Sequence, residues 1–380
     1  QGDFRAEDGT DTRNYGGLLG IPEARALGGR LLGVAPESVL AGGNSSLTLM
    51  YQLMETAHLF GLDGPGSAWR ETARGGTIRC LCPVPGYDRH FTVCEALGIE
   101  MIPVPMTPTG PDMEAVEDRI AADPDVRALW CVPKYSNPTG AVYDEDTVAR
   151  VAALATGAGP GFRVFWDNAY AVHDLYGPRP LPSLAEAARA RGTEENVVQF
   201  ASTSKISLAG AGVAFLAAGP RTLDALVRRL STLMICPDKV NQLRHARAFP
   251  DDDAVAGHMQ RLAALLRPRF EATQAALERL RPLGIAEWTK PEGGYFVSVD
   301  LPQGTARAVV ELAGAAGVKL TPAGSTWPYG RDPEDRNLRL APSFPSEDDV
   351  RSAMEVFVDT VILVAARQRL GRPLTGDGTP

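Results

Sequence analysis

Only five of the chain's 38 basic residues are lysines, so chemistry that needs an amine has few candidates. One of them, Lys205, ends the run Ser202-Thr203-Ser204-Lys205, directly after the apolar stretch Val197–Ala201 and before the glycine-rich Ile206–Gly212. Desolvating an ammonium is costly unless it is paired or neutralised. A lysine at the end of a buried strand is therefore the foremost candidate for a functional amine. Asp167 closes another apolar run, Arg163–Trp166, and opens Asp167-Asn168-Ala169-Tyr170. It reads either as a helix cap or as an ion-pairing carboxylate.

Two loops add binding chemistry. Ala41-Gly42-Gly43-Asn44-Ser45-Ser46 precedes a periodic apolar helix from Leu47 to Phe60. Glycines that let backbone approach closely, next to unpaired first-turn amides and a favourable dipole, suit an anion. Lys134-Tyr135-Ser136-Asn137-Pro138-Thr139-Gly140 is first of all a turn, in which Pro fixes φ and Gly admits φ > 0. Far along the chain, Arg336-Asn337-Leu338-Arg339-Leu340-Ala341 alternates so that Arg339 shares a face with Asn337 and Ala341. That pattern is either a surface strand with exposed arginines or a bidentate grip on a carboxylate.

The elements that must carry these residues are short apolar runs bounded by Gly, Pro or Asp: Thr77–Cys82, Glu100–Met106, Arg127–Pro133, Arg163–Asp167, Val197–Ser202 and Val213–Gly219. Amphipathic helical stretches such as Met113–Ala122 and Glu145–Ala155 lie between them. This alternation predicts an α/β fold with a mostly parallel sheet covered on both faces, and ligands bind beyond the carboxyl ends of such strands. After about residue 245 a long helical stretch, Ala254–Arg281 with Pro268 marking a break or kink, precedes the alternating Gly294–Asp300 and Asn337–Ala341. Two domains are expected: residues 1–245, and a smaller α+β unit over 246–380 that ends in a frayed tail, Gly371–Pro380.

A formal charge of −8, without a block of like charge, argues against a nucleic-acid partner. The most apolar C-terminal run, Val356–Ala366, is broken by Asp359 and too short to cross a bilayer, so no membrane partner is expected. Five cysteines without a CxxC pair suggest neither disulfides nor a metal site, and fit a reducing cytoplasm. The chain begins at Gln1 rather than Met, from which upstream sequence is expected to be absent.

Taken together, Asn137-Pro138-Thr139-Gly140, Asp167-x-Ala169-Tyr170 and Ser202-x-Ser204-Lys205, with Gly20-Ile21-Pro22-Glu23 and the late arginine, resemble the fold type I pyridoxal-phosphate-dependent aminotransferases of class I/II. The branch most similar is the bacterial one near aspartate aminotransferases and the aminotransferase-like part of MocR-type regulators. The resemblance implies a large domain with a mostly parallel seven-stranded sheet, a smaller α+β domain, and pyridoxal 5'-phosphate as cofactor. It implies that Lys205 links to the cofactor and then shuttles the Cα proton, and that Asp167 pairs with the pyridine nitrogen. Asn137 and Tyr170 would bond the ring's 3-oxygen, and Tyr87 would stack on the ring. Gly43, Asn44, Ser45, Ser202 and Ser204 would hold the phosphate, and Tyr15 would reach it from the partner subunit of a homodimer with a shared active site. Arg339, with Asn137, would bind the substrate α-carboxylate.

The sequence departs from the pattern where many relatives carry a phosphate-binding arginine: Ile206–Val213 has none, and Gly212 lies nearest that place. For the distal carboxylate of a dicarboxylic substrate, Lys239, Arg244 and Arg247 are candidates. The implied activity is amino-group exchange between an L-amino acid, aspartate or glutamate first and alanine next, and a 2-oxo acid. The alternatives are a C–S lyase or decarboxylase of the same fold, and the ligand-sensing domain of a regulator.

Overall fold

The computed structural model describes residues 3–375, and the last part of the expected tail, 376–380, lies outside the described residues. Eleven strands form among the described residues: β1 (Val39–Ala41), β2 (Arg79–Val84), β3 (Glu100–Thr107), β4 (Gly110–Pro111), β5 (Val126–Cys131), β6 (Arg163–Asp167), β7 (Val197–Ser202), β8 (Ala214–Ala217), β9 (Glu287–Trp288), β10 (Val297–Asp300) and β11 (Asn337–Leu340). The first eight make one sheet in the order β1-β8-β7-β6-β5-β2-β3-β4. Its centre is parallel, from β3 through β2, β5 and β6 to β7, whereas β8 runs against both β7 and β1. Seven strands were expected. The eighth, β4, is a two-residue antiparallel partner at the edge, beside Met106 and Thr107.

Strands β5, β6 and β7 are buried along their whole length, which is why each reads as a continuous apolar run. Two of their residues are nevertheless arginines. Arg127 reaches the carbonyls of Pro160 and Thr72 and the carboxylate of Asp125, and Arg163 pairs with Asp63 at 2.7 Å, so each buried guanidinium has a carboxylate partner, although the Nε of each is buried without one. Cys80 and Cys82 on β2 converge with Cys94 on the helix Asp88–Ala96, their sulfurs within 4.8 Å of one another and all buried, a grouping that spacing did not announce.

The strands β11-β10-β9 form a second, antiparallel sheet. Helix Asp252–Leu277 runs without interruption through Pro268, where a break or kink was expected. Its first turns pack Val255 and Met259 among residues of the N-terminal segment and β8, and from Ala263 onward it packs Ala263, Leu266 and Phe270 into a separate core with Val297, Val299 and Leu338. Among the described residues no helix is long and apolar enough to cross a membrane.

Candidate active site

Because β1, β2, β5, β6 and β7 point the same way, their carboxyl ends lie along one edge, where Gly42-Gly43-Asn44, Tyr87, Asn137, Asp167 and Ser202 follow or end them. Asp167, the last residue of β6, is buried, and its Oδ2 lies 3.0 Å from His90 Nε2. The His90 ring stacks on Trp130, with centroids 4.1 Å apart and planes 8° from parallel, and Tyr87 meets its edge at 5.0 Å. The other carboxylate oxygen, Asp167 Oδ1, is buried with no hydrogen-bond partner. Desolvating such an atom without a partner is costly, so its orientation calls for a donor arriving with a ligand.

Lys205 sits in the turn after β7. That turn is closed by Thr203, whose amide donates to Val213 O (2.9 Å) and whose Oγ1 accepts from Val213 N (2.8 Å). Tyr295, just before β10, donates its hydroxyl to Lys205 O at 2.9 Å and fixes the turn from the second sheet. The Lys205 amine lies 5.1 Å from the Tyr170 ring centroid. Burial holds its pKa below the ordinary 10.5, against the opposing pull of Asp167. Tyr170 is itself buried, and burial pushes its phenol up; the same cause and the nearby Asp167 push Tyr87 up to about 12.

Arg339 extends from β11 to the first sheet's edge, where its Nη1 donates to Asp88 Oδ1 at 2.9 Å and to Asn137 Oδ1 at 3.2 Å. Its guanidinium lies 5.1 Å from the Phe296 centroid, and Nε is buried without a partner. One corner of the fork is thus occupied and another is open, the geometry of a carboxylate site that is already oriented. The strand is not the exposed surface strand of the simpler reading.

At the anion loop, Ser45 precedes helix Ser46–Leu59 in extended backbone and makes no side-chain capping bond, which leaves the first-turn amides open to a ligand. Ser204 Oγ donates to Asn44 O (3.0 Å), and Asn44 Nδ2 donates to Gly210 O (3.1 Å), tying this loop to the lysine turn; Ser202 is buried at the end of β7. Gly212, where the resemblance leads one to look for an arginine, leaves no room for a side chain, since a Cβ there would fall 2.8 Å from both N and Oγ of Ser204. Asn241 instead grips the carbonyls of Ala211 and Gly212, and Arg244 borders a cavity of about 460 Å³ shared with Gly43, Asn44 and Gly210.

The structure therefore gathers Lys205, Asp167, Tyr170, Tyr87, Asn137 and Arg339 around one edge, with Gly43, Asn44, Ser45, Ser202 and Ser204 beside them. Tyr15 is not among them: it stands 80% exposed on the surface of this chain. Of the distal cations, Lys239 is bound to the carbonyls of Asn14 and Gly16, Arg247 reaches Asp3, and Arg244 lies over Ala211. Sequence reading missed His90, Asp88, Tyr295 and His173. His90 had one usable signal, a histidine one turn into the helix that follows Tyr87. The residues fit pyridoxal phosphate: Asp167 Oδ1 lacks the donor that a protonated pyridine nitrogen would provide, and the uncapped helix start suits its phosphate.

A family model described as aspartate amino-transferase matches residues 1–373. An aspartate aminotransferase of Corynebacterium glutamicum is 46% identical over 96% of this chain and 84% of its own length, and a Mycolicibacterium smegmatis protein named as a putative aminotransferase is 47% identical over 97% and 86%. The crystal structure of an aspartate transaminase from C. glutamicum superposes with a TM-score of 0.92 at 45% identity, covering 97% of this chain and 86% of that one. A Thermus thermophilus α-aminoadipate aminotransferase, solved with N-(5'-phosphopyridoxyl)-L-leucine, shares the fold at a TM-score of 0.78 and 24% identity, over 93% and 85% of the two chains. Matched along nearly its whole described length, the chain belongs to the aspartate aminotransferase family, enzymes of the pyridoxal-phosphate-dependent fold type I.

Proposed function

We propose that this aminotransferase uses pyridoxal 5'-phosphate to exchange the amino group of an L-amino acid with a 2-oxo acid, with aspartate and glutamate the foremost substrates and alanine next. The observation that carries the cofactor reading is the buried, unpartnered Asp167 Oδ1 at the same strand edge as Lys205. The substrate reading is supported by the C. glutamicum relative named aspartate aminotransferase.

When bound, the cofactor supplies a ring that accepts the electrons released as the substrate Cα–H bond breaks. Asp167 would hold the proton on the pyridine nitrogen, and His90 fixes that carboxylate from behind. Lys205 Nζ would take the proton from substrate Cα and return it to the neighbouring carbon, a task suited to an amine whose pKa burial has lowered. Arg339 would bind the α-carboxylate through the donors that Asp88 and Asn137 leave free. Asn137, Tyr170 and Tyr87 would flank the ring, and Gly43, Asn44, Ser45, Ser202 and Ser204 would hold the phosphate. Tyr15, exposed on its own chain, would complete that phosphate site in the partner subunit of a homodimer.

The experiment is a substrate panel read by two assays, amino transfer to 2-oxoglutarate and release of pyruvate or ammonia. Transfer from aspartate in excess of either release supports the reading. Release without transfer assigns the lyase chemistry instead.

A further inference from the structure

Lys239 occupies a place that is adverse for a cation. It is the first residue of helix Lys239–Ala248, at the positive end of the helix dipole, and it is only 2% exposed. Its ammonium is held by two backbone oxygens, Asn14 O at 2.7 Å and Gly16 O. These are the carbonyls immediately before and after Tyr15. Asn14 Oδ1 also accepts from the Tyr15 amide at 2.8 Å, and Gly16 and Gly17 turn the chain with φ of 90° and 77°. With the backbone drawn inward on both sides, the Tyr15 side chain projects outward and stays 80% exposed. A buried charge spent on two carbonyls of a surface loop is poorly explained by stability alone, because an apolar side chain of similar volume would avoid its desolvation.

We infer that Lys239 is a positioning residue: by gripping the carbonyls on either side of Tyr15 it presents the phenol, already oriented, to the cofactor phosphate of a second copy of this chain. This rests on the shared active site proposed above. Ordering the loop beforehand removes an entropy cost that the contact would otherwise have to offset.

The test is a double-mutant cycle read as cofactor affinity, by titrating apo-protein with pyridoxal phosphate and, in parallel, with phosphate-free pyridoxal. Tyr15→Phe is expected to weaken pyridoxal phosphate binding roughly tenfold, the loss of one charge-assisted hydrogen bond. Lys239→Met is expected to weaken it by a similar factor, and the double variant to be no weaker than Tyr15→Phe within about twofold. Pyridoxal binding should respond to neither change. If Lys239→Met costs the same factor with and without the Tyr15 hydroxyl, or costs nothing while Tyr15→Phe weakens binding, Lys239 does not act through Tyr15 and the proposal is overturned while the shared site stands. If Tyr15→Phe leaves affinity unchanged, the shared-site reading falls and takes the proposal with it. Should Lys239→Met fail to fold, Lys239→Leu, which likewise removes the donor to both carbonyls, enters the same cycle with the same deciding outcomes.

Discussion

Asp167 engages His90 through one carboxylate oxygen at 3.0 Å and keeps the other buried with nothing to accept from. The two halves of that carboxylate have separate consequences. Asp167→Asn keeps the volume but removes the charge aimed at the ligand, and kcat for amino transfer should fall by about 10²–10³, the usual size for loss of one preorganised electrostatic partner. His90→Phe keeps the stack on Trp130 and strands the carboxylate, which should cost about 1–3 kcal/mol of stability. Steady-state kinetics and urea unfolding measure the two; an Asp167→Asn enzyme with full kcat would remove the carboxylate from the mechanism.

The amine of Lys205 should titrate below 10.5, because burial disfavours its charged form. A lowered pKa means that the neutral, nucleophilic amine is present from lower pH upward. The rate at which apo-protein captures pyridoxal phosphate should therefore rise with pH to a plateau, with a midpoint below 10.5. Asp167 opposes the shift, so Asp167→Asn should move the midpoint lower still. Stopped-flow absorbance across pH reads both, and a midpoint that moves upward in the variant would contradict the assignment.

Arg339 presents a fork whose Nη1 corner is held by Asp88 and Asn137. Arg339→Lys replaces a planar donor set with a point charge that cannot reproduce it. KM for amino acid and for 2-oxo acid should both rise by about 10–100-fold, the worth of a hydrogen bond to a charged group, with cofactor affinity unchanged. Parallel substrate and cofactor titrations check this; loss confined to the cofactor would move Arg339 out of the substrate site.

His173 is buried with neither ring nitrogen hydrogen-bonded, and its pKa is pushed down to about 3, first by burial and then by the Lys205 charge. The folded histidine stays neutral between about pH 3 and its ordinary 6.5, where the unfolded chain binds a proton. Unfolding then takes up that proton, so stability falls as pH drops from 6.5 towards 3, with a slope approaching about 1.4 kcal/mol per pH unit. His173→Phe should flatten this dependence in urea unfolding between pH 7 and 4.5, and equal slopes in both proteins would count against it.

Much of this site could be read from strand ends. β6 and β7 have the bounds expected of them, Arg163–Asp167 and Val197–Ser202, because strands covered on both faces read as near-continuous apolar runs up to the polar residue that ends them. That placed Asp167 and the Lys205 turn. β4, a Gly-Pro pair, carries no apolar pattern and was not legible. His90 meets Asp167 across 77 positions and Asp88 meets Arg339 across 251, and in each case only the fold supplies the partner. The empty place at Gly212 could be seen as a missing arginine, but its cause, the backbone of Ser204 against the would-be Cβ, is a tertiary contact.

Lys205 as the amine that holds the cofactor is tested most directly by borohydride reduction of the protein loaded with pyridoxal phosphate, followed by peptide mass mapping beside Lys205→Ala. The native protein should show visible absorbance that bleaches on reduction, with the cofactor mass fixed on the Lys205 peptide and both signals absent from the variant. Cofactor mass on Lys134, Lys239, Lys290 or Lys319 instead, or a variant that still traps it, would remove Lys205 from that role.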